Sequence, residues 1–162
     1  MDGTATEKYV MEAVISKASR DDLAEILQLQ YKAFYTVAES MGDFSIPPLT
    51  QTIEELVEEY MHGVVLKLVC DGKIVGSVRV RVKGDTVYVG KLIVSPDYRH
   101  RGFATRLLAE VEKLFPEMRY ELFTSVASPE NIRLYEKNGY VIFDRKTVSP
   151  NLTFVYMEKI RS

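Results

Sequence analysis

Arg99, His100, Arg101, Gly102, Phe103, Ala104 and Thr105 stand in one unbroken run, shortly after the apolar segment that ends in Leu92-Ile93-Val94. Where a loop turns sharply into a helix, the first backbone N–H groups lack intrahelical partners and carry the positive end of the helix dipole. Such a terminus can cradle a phosphate or pyrophosphate. Gly102 has no Cβ and Ala104 has only a methyl group, so the backbone can approach an anion closely, and Arg99 and Arg101 can add charge-assisted contacts. The same residues also suit a solvated, Arg-rich turn, and the strand-loop-helix context alone divides evenly between the two readings. A nucleotide-phosphate site on this loop is a rival, but the loop lacks the Gly-Lys-Ser/Thr that such a site uses.

Tyr135 is the second group with usable chemistry. A phenol, with an ordinary pKa of about 10, can donate a proton to a leaving group of similar basicity. Its alternative is a packed helix tyrosine three residues from Ile132. Asn131, one turn earlier, can bond a ligand amide or cap its own helix. His62 and His100 are the only histidines, and no ligand cluster surrounds them, so no metal site is expected.

These groups need a frame. Turn signals at Asp71-Gly72, Lys83-Gly84-Asp85 and Ser149-Pro150-Asn151 separate runs rich in Val and Ile. They predict a meander from about Val64 to Val94 and a hairpin from about Val141 to Ile160, after a first strand near Glu12 to Ile15. Helical spacing appears at Leu23, Ile26, Leu27, Phe34 and Val37, behind a Ser19/Asp22 capping pair, and again from Ile53 to Met61. Glu54, Glu55, Glu58 and Glu59 mark the second helix's solvated face. A third helix starts after Gly102, buries Leu107, Leu108, Val111, Leu114 and Phe115, and stops at Pro116. A strand from Tyr120 to Val126 follows. A short helix then opens with Ser128 and Pro129 and closes at Asn138-Gly139. A mixed α+β fold results, with helices on the faces of a mixed sheet.

The run Val94-Ser-Pro-Asp-Tyr-Arg-His-Arg-Gly-Phe-Ala resembles the acetyl-coenzyme A motif of the GNAT superfamily of N-acetyltransferases, Gln/Arg-x-x-Gly-x-Gly/Ala, with Arg99, Gly102 and Ala104 at its fixed positions. Leu134-Tyr135 and Gly139-Tyr140 match the family's downstream Leu-Tyr-x-x-x-Gly-Phe/Tyr helix. The resemblance runs from about Val64 onward. It implies an acyl-CoA N-acyltransferase-type fold whose central, mostly antiparallel sheet splays near Leu92 to Val94. It also implies transfer of an acetyl group from acetyl-CoA to a primary amine of a small molecule or protein, by direct attack in a ternary complex. Cofactor contacts fall on the backbone of Leu92, Ile93 and Val94, on the loop Arg99 to Thr105, and on Asn131. Tyr135 becomes proton donor to the thiolate. Two departures stand out: Ser128 replaces a frequent Asn, and Gly90 stands where many relatives carry a basic Glu. Glu121 or a water chain is left as the base, the second helix's glutamates could attract a cationic amine, and Tyr31, Phe34 and Tyr35 are either core or walls of the acceptor pocket. A non-catalytic acetyl-CoA-binding domain is the alternative. Relatives often form dimers, so a homodimer is an open expectation.

The 162 residues fit one domain, 1–162, with 1–9 expected as a flexible tail. A net charge of −2 disfavours nucleic acid as a partner. No apolar run nears the ~20 residues that cross a bilayer, and Met1 to Lys8 lacks a signal-peptide core. Cys70 is the only cysteine, so no internal disulfide can form and a cytoplasmic location is expected.

Overall fold

The computed structural model describes residues 12–160, so the proposed tail at residues 1–9 lies outside the described residues. Strand β1, Ala13–Lys17, leads through a 3-10 turn, Arg20–Asp22, into helix α1, Leu23–Met41. Asp22 accepts from both the backbone N–H and the hydroxyl of Ser19 at 2.8 and 3.1 Å, as the capping pair predicts. A one-turn helix α2, Pro47–Thr50, was not foreseen; it is prolines at its first two positions rather than periodicity that start it. Helix α3, Ile53–Met61, has a capping box in which Thr52 and Glu55 bond each other's backbone N–H.

The meander follows as β2, Val64–Cys70, β3, Lys73–Lys83, and β4, Thr86–Val94. Helix α4, Phe103–Leu114, leads to β5, Arg119–Ser125, then helix α5, Pro129–Lys137, and the hairpin β6, Val141–Ser149, and β7, Leu152–Ile160. The first strand therefore starts one residue and ends two residues further along the chain than its sequence signal, and β5 starts and ends one residue earlier. Both shifts are within the fraying of element ends.

All strands join one sheet in the order β1-β2-β3-β4-β5-β7-β6. Every pairing is antiparallel except β4 with β5. Helices cover both faces. Leu107, Leu108 and Val111 of α4 pack with Val78, Val87 and Tyr120 in one core. Leu23, Ile26 and Leu27 of α1 pack with Leu56 of α3 and with Val65 and Ile93 in a second core on the other face. Side chains such as Leu107 and Ile26 are fully buried, and each contributes about 2 kcal/mol relative to exposure. Cys70 is core, as expected, and burial pushes its thiol pKa up.

Two irregularities shape the middle of the sheet. In the β3–β4 ladder, Ser77 faces Ile93 and Arg79 faces Gly90. Lys91 and Leu92 therefore oppose Val78 alone, and this bulge holds Lys91 at a φ of 48°. Parallel pairing of β4 with β5 is limited to Thr86–Arg119, Val87–Tyr120 and Tyr88–Glu121. Beyond Tyr88 the two strands part, so the expected splay at Leu92 to Val94 is present and starts earlier than the sequence suggests.

Candidate active site

The parting strands open a cleft of about 750 Å³. Leu92, Ile93 and Val94 form its floor, and the loop Arg99, His100, Gly102 with Phe103, Ala104 and Thr105 forms one wall. Ser128, Pro129, Asn131, Leu134 and Tyr135 form the opposite wall, and Ala33, Phe34 and Val37 of α1 close one end. Nearly every residue that the sequence singled out for the cofactor thus lines one space.

The loop has the backbone geometry of an anion cradle. Ser95 tightens its start, its hydroxyl accepting from the Asp97 N–H at 3.4 Å. His100 at φ 64° and Gly102 at φ 77° are both left-handed, and Gly102 is the residue from which α4 departs. Alternating backbone hands on either side of Arg101 curl successive amides into a concavity that suits an anion. A Cβ at Gly102 would meet nothing within 4 Å, so the space beside it is open. Phe103 is buried in the core, which anchors the first turn of α4 and leaves only its backbone for a ligand.

Arg101 departs from the expectation. It is not part of the cleft wall; its guanidinium lies over the Tyr98 ring, 4.8 Å from the centroid. The stacking is an exposed cation–π contact, and it competes with any phosphate contact. Thr105 accepts from the Asn138 side-chain amide at 3.3 Å. Ser128 stands at the N-cap of α5 but makes no side-chain capping bond. Gly139, at φ 93°, closes that helix as predicted.

Tyr135 is 8 % exposed and meets the Tyr140 ring edge-on at 5.9 Å. Burial pushes its pKa up to about 12. The phenol therefore stays protonated throughout the neutral range, as a proton donor must.

A second cavity, of about 480 Å³, lies nearer the closed end of the splay. Gly90, Tyr88 and Val89 of β4 face Glu121, Leu122 and Phe123 of β5 across it, beneath Glu58, Glu59 and His62 at the end of α3. Arg79 and Arg81 of β3 complete it. Of the two ends of the Arg79 guanidinium, Nη1 donates to Gln51 Oε1 and Glu59 Oε1, each at 3.0 Å, and Nη2 donates to Gln30. Arg79 Nε is buried without a partner, and desolvation lowers the pKa of the group.

Sequence reading missed this network. Ser-Val-Arg-Val-Arg-Val looks like a strand with its arginines in solvent, yet helices cover both faces here and Arg79 ends up 5 % exposed beneath α1 and α3. The glutamate face of α3 is exposed, as expected, although Glu55 caps the helix, Glu59 pairs with Arg79 and Glu58 lies 3.3 Å from His62 Nδ1. Of the helix-α1 aromatics, Phe34 lines the cofactor cleft, Tyr31 donates to the Gln51 carbonyl, and Tyr35 packs on Phe44 at 5.3 Å. Among the described residues, no group of three or more His, Cys, Asp or Glu could hold a metal ion, and no helix is long and apolar enough to cross a membrane.

The arrangement has known counterparts. The PaiA N-acetyltransferase of Thermoplasma acidophilum, solved with coenzyme A, superposes with a TM-score of 0.79 at 19 % identity, covering 93 % of this chain and 99 % of its own. The ribosomal-protein-S18-alanine N-acetyltransferase of Escherichia coli gives 0.76 at 16 % identity, over 92 % and 94 % of the two chains. A spermidine N-acetyltransferase chimera from Vibrio cholerae gives 0.71 at 16 %, over 91 % and 95 %. At these identities the likeness establishes the fold. No curated protein matches the sequence. The model of the Acetyltransferase (GNAT) family matches residues 20–140, which span both the loop and the Tyr135 helix. The chain belongs to that family and is an acetyltransferase that draws its acetyl group from acetyl-coenzyme A.

Proposed function

We propose that the chain transfers the acetyl group to a primary amine, on a cationic small molecule or a protein, by direct attack within a ternary complex in the cytoplasm. The observation that carries this reading is the pair of spaces on either side of the Gly90–Leu92 bulge. One is walled by the anion-cradling loop and Tyr135, the other by Glu58, Glu59, Glu121 and the aromatic rings of Tyr88 and Phe123. Carboxylates and ring faces together favour an ammonium group. Among the neighbours the acceptors range from spermidine to a protein alanine, which fits an acceptor side that is free to vary.

In this reading the amides of the loop from Arg101 to Thr105 hold the pyrophosphate and Arg99 adds charge. Asn131 bonds the pantetheine arm, and the backbone beside Leu92 donates to the acetyl oxygen. A preorganised donor of that kind is worth several kcal/mol, on the order of 3. Tyr135 returns a proton to the departing sulfur. The cytoplasmic assignment is supported by the single thiol, Cys70, which is buried and without a disulfide partner.

The test is acetyl-CoA turnover over a panel of primary amines, followed by Tyr135→Phe with the best acceptor. Wild-type turnover and a loss of about 100-fold in kcat in the variant, at unchanged acetyl-CoA affinity, support the reading. Wild-type turnover that is insensitive to the variant removes Tyr135 from the chemistry.

A further inference from the structure

The nucleophile must shed a proton, and Gly90, the β4 residue bordering the smaller cavity, has no side chain to take it. Gly90 faces the smaller cavity, and a Cβ there would meet nothing within 4 Å. The base must then come from another element bordering that cavity. Its proton-accepting side chains are Glu58, Glu59, His62 and Glu121.

Two of these are committed. Glu59 Oε1 accepts from Arg79 at 3.0 Å, and Oε2 accepts from Gln51. Glu59 supplies the counter-ion to a guanidinium that is 5 % exposed, so protonating it would strand a buried charge. Glu121 Oε1 accepts from Arg119 at 2.8 Å in a pair that is mostly buried. His62 is different. It caps α3, with Nδ1 2.9 Å from the Glu58 carbonyl oxygen and 3.3 Å from Glu58 Oε1. Both partners are acceptors, so Nδ1 carries the hydrogen and Nε2 is left with its lone pair. A ring held this way by a carboxylate is the arrangement that fixes an imidazole as a base.

We infer that His62, oriented by Glu58, accepts the proton of the acceptor amine, doing from the end of α3 what a carboxylate at Gly90 would do from β4. The inference rests on the amine-transfer reading above. As the nitrogen–carbon bond forms and the carbon–sulfur bond breaks, Nε2 takes the proton from nitrogen and Tyr135 gives one to sulfur. Gly90 lies two residues from Leu92, about 7 Å along the strand, so the proton reaches Nε2 through a short chain of waters rather than by direct contact. The His62 side chain is 63 % exposed, so its proton passes directly to solvent. The charged groups that face it are Glu58 and Glu59 of α3, Arg79 and Arg81 of β3, and Glu121 of β5, with Lys91 of β4 beside Glu59.

The experiment compares wild type, His62→Ala and the double variant His62→Ala/Gly90→Glu, using the best amine of the panel. His62→Ala should lose about 100-fold or more in kcat, keep its acetyl-CoA affinity and melting temperature, and lose the acidic limb of the kcat/KM profile. Added imidazole, or the carboxylate in the double variant, should restore turnover. If His62→Ala keeps kcat within about threefold of wild type, or loses acetyl-CoA affinity in parallel, His62 is not the base. If the wild type binds acetyl-CoA but transfers to no amine, the reading beneath falls and this inference falls with it.

Discussion

Gly102→Ala separates a turn from a binding site. Gly102 sits at φ 77°, where a Cβ costs about 1–2 kcal/mol of backbone strain. No atom lies within 4 Å of that Cβ, so no packing clash adds to the cost. For a chain of this length each kcal/mol moves the melting temperature by roughly 2–4 °C, which gives a fall of about 2–8 °C. The effect on acetyl-CoA is of another kind. A methyl group in the concavity displaces the pyrophosphate from at least one charge-assisted bond, worth about 1.5–3 kcal/mol. Affinity should then fall by roughly 10- to 150-fold. Thermal melting and isothermal titration with acetyl-CoA measure the two effects independently, and Gly102→Trp should abolish the titration signal. A Gly102→Ala protein that melts lower by the stated amount yet binds acetyl-CoA as tightly as wild type would falsify the cradle, and the loop would be an ordinary turn.

Burial holds the Tyr135 phenol neutral up to about pH 12, whereas the unfolded chain ionises near its ordinary value of 10. The stability this represents is present below pH 10 and is lost as the pH climbs towards 12, by roughly 2–3 kcal/mol. Urea melts from pH 9 to 11.5 should show the decline, and Tyr135→Phe should flatten it in part, because Tyr140 is also pushed up by burial. Equal declines in both proteins refute the assignment. Arg79→Met leaves the buried Gln30 without its guanidinium donor, while Glu59, 41 % exposed, turns to water, so it should cost about 1–3 kcal/mol in a urea titration; no measurable cost would mean the network relaxes onto water. Gly63→Ala puts a Cβ 2.4 Å from the Val80 carbonyl oxygen and should destabilise by about 1–3 kcal/mol. Gly90→Ala, with open space around it, should be neutral or slightly stabilising in the same melts.

What the sequence revealed followed from local chemistry. Ser19 with Asp22, Pro129 at a helix start and Gly139 after a helix end each act through their nearest neighbours, so the elements they bound were legible. The turn from Gly102 into α4 was legible for the same reason, because its glycine, its small residue and the helix it opens are contiguous. Arg79 was not, since its burial depends on Gln30, Gln51 and Glu59 arriving from other helices. The stacking of Arg101 on the Tyr98 ring was not legible either, since no spacing rule announces a stacking partner. His62 counted in the sequence only as a histidine without a ligand cluster, since only the folded chain sets it beside the same cavity as Gly90.

The short parallel contact of Thr86–Tyr88 with Arg119–Glu121 has a consequence for how the molecule opens. On one side lies a four-strand antiparallel block, on the other a three-strand block, and each is laddered along most of its length. The two are welded by a few rungs and by the helix α4 crossover. Cooperative units in a protein separate along the line of fewest shared bonds, and here that line runs straight through the cleft and the smaller cavity. Acetyl-CoA bound in the cleft, as proposed above, would touch both blocks at once. It would act as a rivet across the weld, so the free enzyme should breathe as two halves and the loaded enzyme as one.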